Sequence, residues 1–183
     1  MKRNKYILYI LLIISIFGGT KNAMCQYSEY EVKAAYVFNF AKFISWPKES
    51  TENDTITIAI FKNDPFGIII DKTMNGRKAN GKIWKIIRTN NKKTLTKCQI
   101  VFFSDIEKYP LMQILSNLKT KPIVTIGDNI PNFCQLGGVI NFTPQFSEYQ
   151  FEINNEVAKI NSITISPKLL VLAKIISNIG DEF

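Results

Sequence analysis

Not one of the 183 residues is histidine. That removes Ser-His and Cys-His nucleophile arrangements and the commonest metal ligand in one stroke. Cysteine is scarce as well, at Cys25, Cys98 and Cys134. Two widely separated cysteines cannot supply the roughly four ligands of a structural zinc site. Triad and metal-dependent chemistry are therefore not expected, and the chain reads as no enzyme, with no cofactor and no metal. No internal repeat, linker or low-complexity stretch divides it. Lysines are scattered, and no dense basic run points to nucleic acid.

Long apolar runs are equally rare. The one present covers residues 6–17, well short of the roughly 20 residues that span a bilayer. Lys2, Arg3 and Lys5 precede it, Gly18 and Gly19 break it, and Ala23-Met24-Cys25 offers modest side chains before Gln26. A positive start, a short apolar stretch and a small-residue exit form the plan of a secretory signal peptide. The expectation is a signal peptide over 1–25, cleavage before Gln26, and one domain over 26–183 in the periplasm. Lipid attachment at Cys25 is the alternative, served poorly by Asn22-Ala23-Met24. Removing residues 1–25 takes away Lys2, Arg3, Lys5 and Lys21 and no acid, so the formal charge falls from +8 to +4.

Within the mature part, residues 29–44 read as a helix apolar nearly all round, which must be buried widely or face a partner. Trp46-Pro47 ends it, because a residue before proline leaves the helical region. Apolar runs at 56–61, 83–88, 98–103, 122–126, 139–142 and 149–153 read as strands. Short helices are expected up to Met74, with Asp64 capping and Pro65 first in the helix, and over 106–118. A last amphipathic helix over 167–177 opens behind Ser166. Strands alternating with helices specify an α/β fold: a single compact domain with a mixed, mostly parallel sheet of about six strands flanked by helices. The late pair of strands suggests an antiparallel edge.

Few motifs suggest chemistry. Gly76 to Lys82 fits most of a phosphate-binding loop, but Ile83 replaces the magnesium-holding hydroxyl and a strand follows where a helix is needed. Ser166-Pro167-Lys168 lacks the Ser-x-x-Lys spacing, and Ser166 serves better as a helix cap. Glu152 alternates with Phe151 and Ile153, so it lies on the opposite face of its strand. It is either solvated or, if covered, paired with a cation, for which Lys168 and Arg77 are candidates. Phe133 and Gly137-Gly138 frame a glycine-rich loop that either permits tight turns or lets a partner approach. Phe133, Gly137, Gly138, Glu152 and Lys168 are accordingly the candidate partner- or ligand-binding residues. Cys98 and Cys134 are either disulfide-bonded, as export permits, or buried free thiols.

Taken together, several segments resemble the YfiR family of periplasmic proteins. They are Lys33-Ala34-Ala35-Tyr36, Phe40-Ala41-Lys42-Phe43, Trp46-Pro47, Asp64-Pro65-Phe66-Gly67 and Thr125-Ile126-Gly127-Asp128. Phe133, Gly137-Gly138, Val139-Ile140-Asn141-Phe142, Phe151-Glu152-Ile153-Asn154 and Ser166-Pro167-Lys168-Leu169-Leu170 continue the likeness in order. The resemblance implies a non-catalytic, homodimer-forming repressor. Its partner would be the periplasmic domain of an inner-membrane sensor, a diguanylate cyclase or a histidine kinase. Cyclic-di-GMP and biofilm output would fall, and an outer-membrane lipoprotein could sequester the repressor. A different function consistent with the same residues is a small-molecule module with an apolar pocket near Glu152 and Phe133. The family's repressor carries two disulfides, whereas only Cys98 and Cys134 remain here, so redox control need not carry over.

Overall fold

The β-branched run Thr55–Phe61 forms the strand around which the domain is built. The structure is a computed structural model and describes residues 27–177 except 52, 53, 75, 145, 146 and 149. The expected signal peptide therefore lies outside the described residues, as does Tyr149 of the expected last strand. Ten strands are present among them: β1 (Ile44–Ser45), β2 (Thr55–Phe61), β3 (Lys78–Ala79), β4 (Lys82–Thr89), β5 (Ile100–Phe103), β6 (Val124–Asp128), β7 (Ile140–Phe142), β8 (Phe151–Ile153), β9 (Thr164–Ile165) and β10 (Lys174–Ile175). Eight form one sheet in the order β10-β8-β7-β6-β5-β2-β4-β3, and β1 pairs with β9 separately. Pairings from β4 through β2, β5 and β6 to β7 are parallel, while β3 on β4 and β8 on β7 are antiparallel.

Alternation along the central strands creates two cores. Ile56, Ile58, Ile60, Ile100 and Phe102 face one side, where they meet helix α1 (Glu29–Phe43), helix α2 (Ile68–Met74) and Leu169. Ala59, Phe61, Val101 and Phe103 face the other, against the short helix α3 (Lys92–Leu95) and helix α4 (Lys108–Leu118). Both faces of a parallel sheet are thus covered, as its unbroken apolar strands require. Two further short helices, α5 (Asn155–Ile160) and α6 (Pro167–Leu170), complete the fold.

Helix α1 begins with a reciprocal cap: Ser28 Oγ accepts from the Glu31 amide, and the Glu31 carboxylate accepts from the Ser28 amide at 2.7 Å. At its other end Asn80 Nδ2 donates to the carbonyls of Ala41 and Lys42, satisfying groups a helix terminus leaves open. Asn80 and Gly81 both have positive φ, at 51° and 79°, the requirement of the tight turn that joins β3 to β4. The segment resembling a phosphate loop is therefore a hairpin.

Three expectations change. The sheet has eight strands, because β3 and β10 are two residues long and carry no period to read. The last helix stops at Leu170 instead of 177, and the chain turns to place β10 parallel to β8. That turn gives the Ile153 carbonyl a donor, the Ile176 amide at 2.9 Å, which a continuing helix would have withheld. In consequence the β7–β8 hairpin lies inside the sheet, with β10 beyond it at the edge. Asp64 does cap, accepting from the Phe66 and Gly67 amides, but the helix starts at Ile68 and not at Pro65.

Candidate functional site

Strand order reverses between β2 and β5: the chain passes from β2 outward to β4, then returns across β2 to β5. In open parallel sheets, ligands bind outside the carboxyl ends of strands at such a reversal. A crevice of about 550 Å³ lies there, within the roughly 300–1,000 Å³ typical of ligand sites. Asn63 and Asp64 follow β2, Ser104 and Asp105 follow β5, and Asp128 and Asn129 end β6. Glu29, Tyr30 and Lys33 close it from the first turns of α1.

These groups hold one another. Ser104 Oγ donates to the Asn63 carbonyl at 2.9 Å, and Asn63 Nδ2 donates to the Asp105 carboxylate at 3.3 Å. Lys33 Nζ donates to Asp128 Oδ1 at 2.5 Å and also to Glu29, while Tyr30 Oη donates to Asp128 Oδ2 at 3.2 Å. The Lys33 ammonium also lies 5.0 Å from the Tyr30 ring centre. Burial disfavours the ammonium, but the hydrogen bonds it donates to Asp128 and Glu29 outweigh this and raise the Lys33 pKa. Burial and the Asp128 carboxylate together raise that of Tyr30. Outside the crevice wall, Arg88 bridges Asp64 at 2.6 Å and Asp71 at 2.5 Å. Its hydrogen bonds hold the Asp71 pKa below the usual carboxylate value. Among the described residues no cluster of three acidic, histidine or cysteine side chains could hold a metal ion.

The residues singled out from sequence lie elsewhere, on and behind β7 and β8. Phe133 is wholly buried in the second core, and Gly138 and Gly127 press against it. A Cβ on Gly138 would come within 2.1 Å of the Phe133 ring, so this glycine makes room for a side chain of its own chain. Gly137, with φ 101°, is half-buried and has open space where a Cβ would stand. Glu152 pairs with Lys174 at 3.3 Å, not with Lys168 or Arg77. Lys168 is exposed beside its cap Ser166, and Arg77 lies over the Phe38 ring.

Cys98 and Cys134 are free thiols here, and both are buried. Each thiol sits against a carbonyl of its own neighbourhood, Thr94 for Cys98 and Val139 for Cys134. Sequence reading missed the buried asparagines that tie this region together. Asn141 pairs both ways with the Ile130 backbone. Asn154 caps α5 and donates to the Cys134 carbonyl. Asn161 joins the Thr120 amide to the Ile123 carbonyl. A cap residue ahead of Glu156 and Val157 was the available signal for α5.

Fold and crevice together define a three-layer α/β domain with an open switch-point crevice. The chain belongs to the YfiR/HmsC-like family, whose profile matches residues 30–174. No curated protein matches it. The family is one of periplasmic regulators, and among the described residues no helix is long and apolar enough to cross a membrane.

Proposed function

We propose that the protein is a non-catalytic periplasmic regulator that binds the periplasmic domain of an inner-membrane signalling protein and restrains it. A diguanylate cyclase is the first choice of partner and a histidine kinase the second. Residues 1–25 direct export, with cleavage before Gln26, and the mature chain acts as a homodimer that an outer-membrane lipoprotein can sequester. The observation carrying this reading is the family match over 30–174. The surface around the start of α1 agrees with it, because exposed Tyr27, before the helix, and exposed Val32, on it, line one concavity with Tyr36. The test is deletion of the gene in its host, with cyclic-di-GMP and sensor-kinase phosphorylation measured beside a complemented strain. A rise in either output on deletion supports the reading. Unchanged outputs, or full-length protein retained in the cytoplasm, overturn it.

The switch-point crevice favours a second reading, a small-molecule module reporting to a membrane sensor. Its carboxylates at Glu29, Asp64, Asp105 and Asp128 outnumber the cations Lys33 and Arg88 around it. A polar ligand carrying a positive charge suits it better than an anion. A melting-temperature screen of amines against organic anions separates the two readings.

A further inference from the structure

A second concavity lies between α4, which packs on the second core, and α5, whose Val157 and Ala158 join the first. Met112 and Leu115 stand at helical spacing on one face of α4, with Lys119 just past its end, and Val157 and Ile160 share a face of α5. The turn bearing Gln135 and Gly137 forms its floor, and the space measures about 350 Å³. Two observations set it apart from an ordinary seam between helices. Met112 and Ile160 are 43% and 44% exposed, so its walls are open apolar surface. The Gln135 Oε1 atom is buried and accepts no hydrogen bond, and an unmet acceptor of this kind demands a donor.

Charge says which occupant fits. The Thr120 amide and the Ile123 carbonyl both bond Asn161, which draws the C-terminal ends of α4 and α5 together. Lys119 lines the groove, Lys121 lies two residues further along the chain and Lys159 precedes Ile160 on α5, and among the described residues none of the three is in a salt bridge. Glu156, in the first turn of α5, is the nearest acid on these two helices. We propose that this groove docks a short acidic segment of a protein partner, which places apolar side chains between Met112 and Ile160, a backbone or side-chain N–H on Gln135 Oε1, and carboxylates against the three lysines. Docking of this kind follows the groove mode of peptide recognition, in which spaced apolar anchors enter a slot between helices. The concave shape favours a peptide over a membrane surface, which is engaged by protruding apolar groups. The inference rests on the proposed regulatory role, since it supplies the surface by which a sensor domain would be held.

The methionine methyls provide a direct test. Met112 lines the groove, and Met74 is wholly buried on α2 and is not among the groove's lining residues. The full chain, labelled with ¹³C at methionine methyls, is titrated with a short synthetic peptide bearing two leucines four positions apart among glutamates. A counterpart with lysines replacing the glutamates, and phosphatidylglycerol vesicles, are run in parallel. The expected result is a shift of Met112 with Met74 unmoved, and at least tenfold weaker binding of the lysine peptide. Ile160→Glu and Lys119→Glu should each weaken the acidic peptide at least tenfold while melting like wild type. Val171→Glu, which alters an exposed apolar residue away from the groove, should bind normally. Equal binding of both peptides, no movement of Met112, or a response to vesicles alone overturns the proposal. In the host, an Ile160→Glu chain that restrains its sensor normally refutes the groove while leaving the regulatory role intact. An unchanged output on gene deletion refutes that role and leaves the peptide result standing.

Discussion

Lys33 and Asp128, 95 residues apart, meet at 2.5 Å and fasten the first helix to the carboxyl end of β6. Lys33 is only 8% exposed, an unusual degree of burial for lysine. The Asp128 side chain is at least as covered as that of Lys33, and its other oxygen is held by Tyr30. Removing one member of such a pair leaves an uncompensated charge, whereas replacing both by apolar groups is often tolerated. Lys33→Met is therefore expected to cost about 3 kcal/mol, and Lys33→Met combined with Asp128→Leu to regain most of that loss. Urea unfolding midpoints of the three proteins decide the matter. A double variant no more stable than the single one would show that the pair acts through something other than charge.

Phe133 and Gly138 give the second prediction. The ring is wholly buried, and a methyl on Gly138 would come within 2.1 and 2.2 Å of two of its carbons. Gly127 borders the same ring from the other side, with Phe133 Cγ 2.8 Å from where its Cβ would be. The ring has nowhere to retreat, so Gly138→Ala should cost about 3 kcal/mol, the upper end for overpacking. Phe133→Leu removes Cε1 and Cζ, two of the three ring atoms nearest that methyl, and the double variant should be more stable than Gly138→Ala alone. Simple addition of the two losses, measured by urea unfolding, would mean that the strain lies elsewhere.

These cases show how far the sequence could be read. The runs at 56–61 and 98–103 announced central strands because Ile, Val and Phe crowd a segment bounded by turns. The strands Lys78–Ala79 and Lys174–Ile175 hold no period at all, and pairing with a neighbour is what makes them strands. Misreading the second as helix also misdirected Glu152. Its partner Lys174 comes alongside only through the register Lys174↔Glu152, which no local pattern encodes. The crevice was likewise hidden. Three of its acids, Asp64, Asp105 and Asp128, come from the ends of three different strands, and only the order in which those strands lie side by side collects them.

Glu152 now carries a weaker prediction than a buried carboxylate would. Its side chain is 15% exposed, but Lys174 is 56% exposed, and the 3.3 Å contact lies at the edge of the sheet. Pairs with one partner so open to water are worth about 0–1 kcal/mol. Glu152→Ala should therefore shift the melting temperature by no more than about 4 °C, given that 1 kcal/mol moves a domain of this size by roughly 2–4 °C. A loss as large as that expected for Lys33→Met would show that Glu152 carries a burden beyond Lys174.

The two thiols define the response to alkaline pH. Burial pushes the Cys98 pKa up from 9.0 to about 11. Burial first, and the Glu152 carboxylate second, raise that of Cys134 further. A thiol whose folded pKa exceeds its unfolded one keeps its proton in the native state after the unfolded chain has lost it. Its contribution is complete below pH 9 and disappears as pH climbs, between about 9 and 11 for Cys98. Urea unfolding should thus show stability declining from pH 9 upward, and a Cys98→Ser, Cys134→Ala variant should show a smaller decline. The same burial starves both sulfurs of thiolate, the reactive form. At pH 8 a thiol reagent should label the native protein slowly, Cys98 ahead of Cys134, and both promptly once urea unfolds the chain. Rapid labelling of native Cys134 would place that thiol at the surface and contradict the packing of the second core.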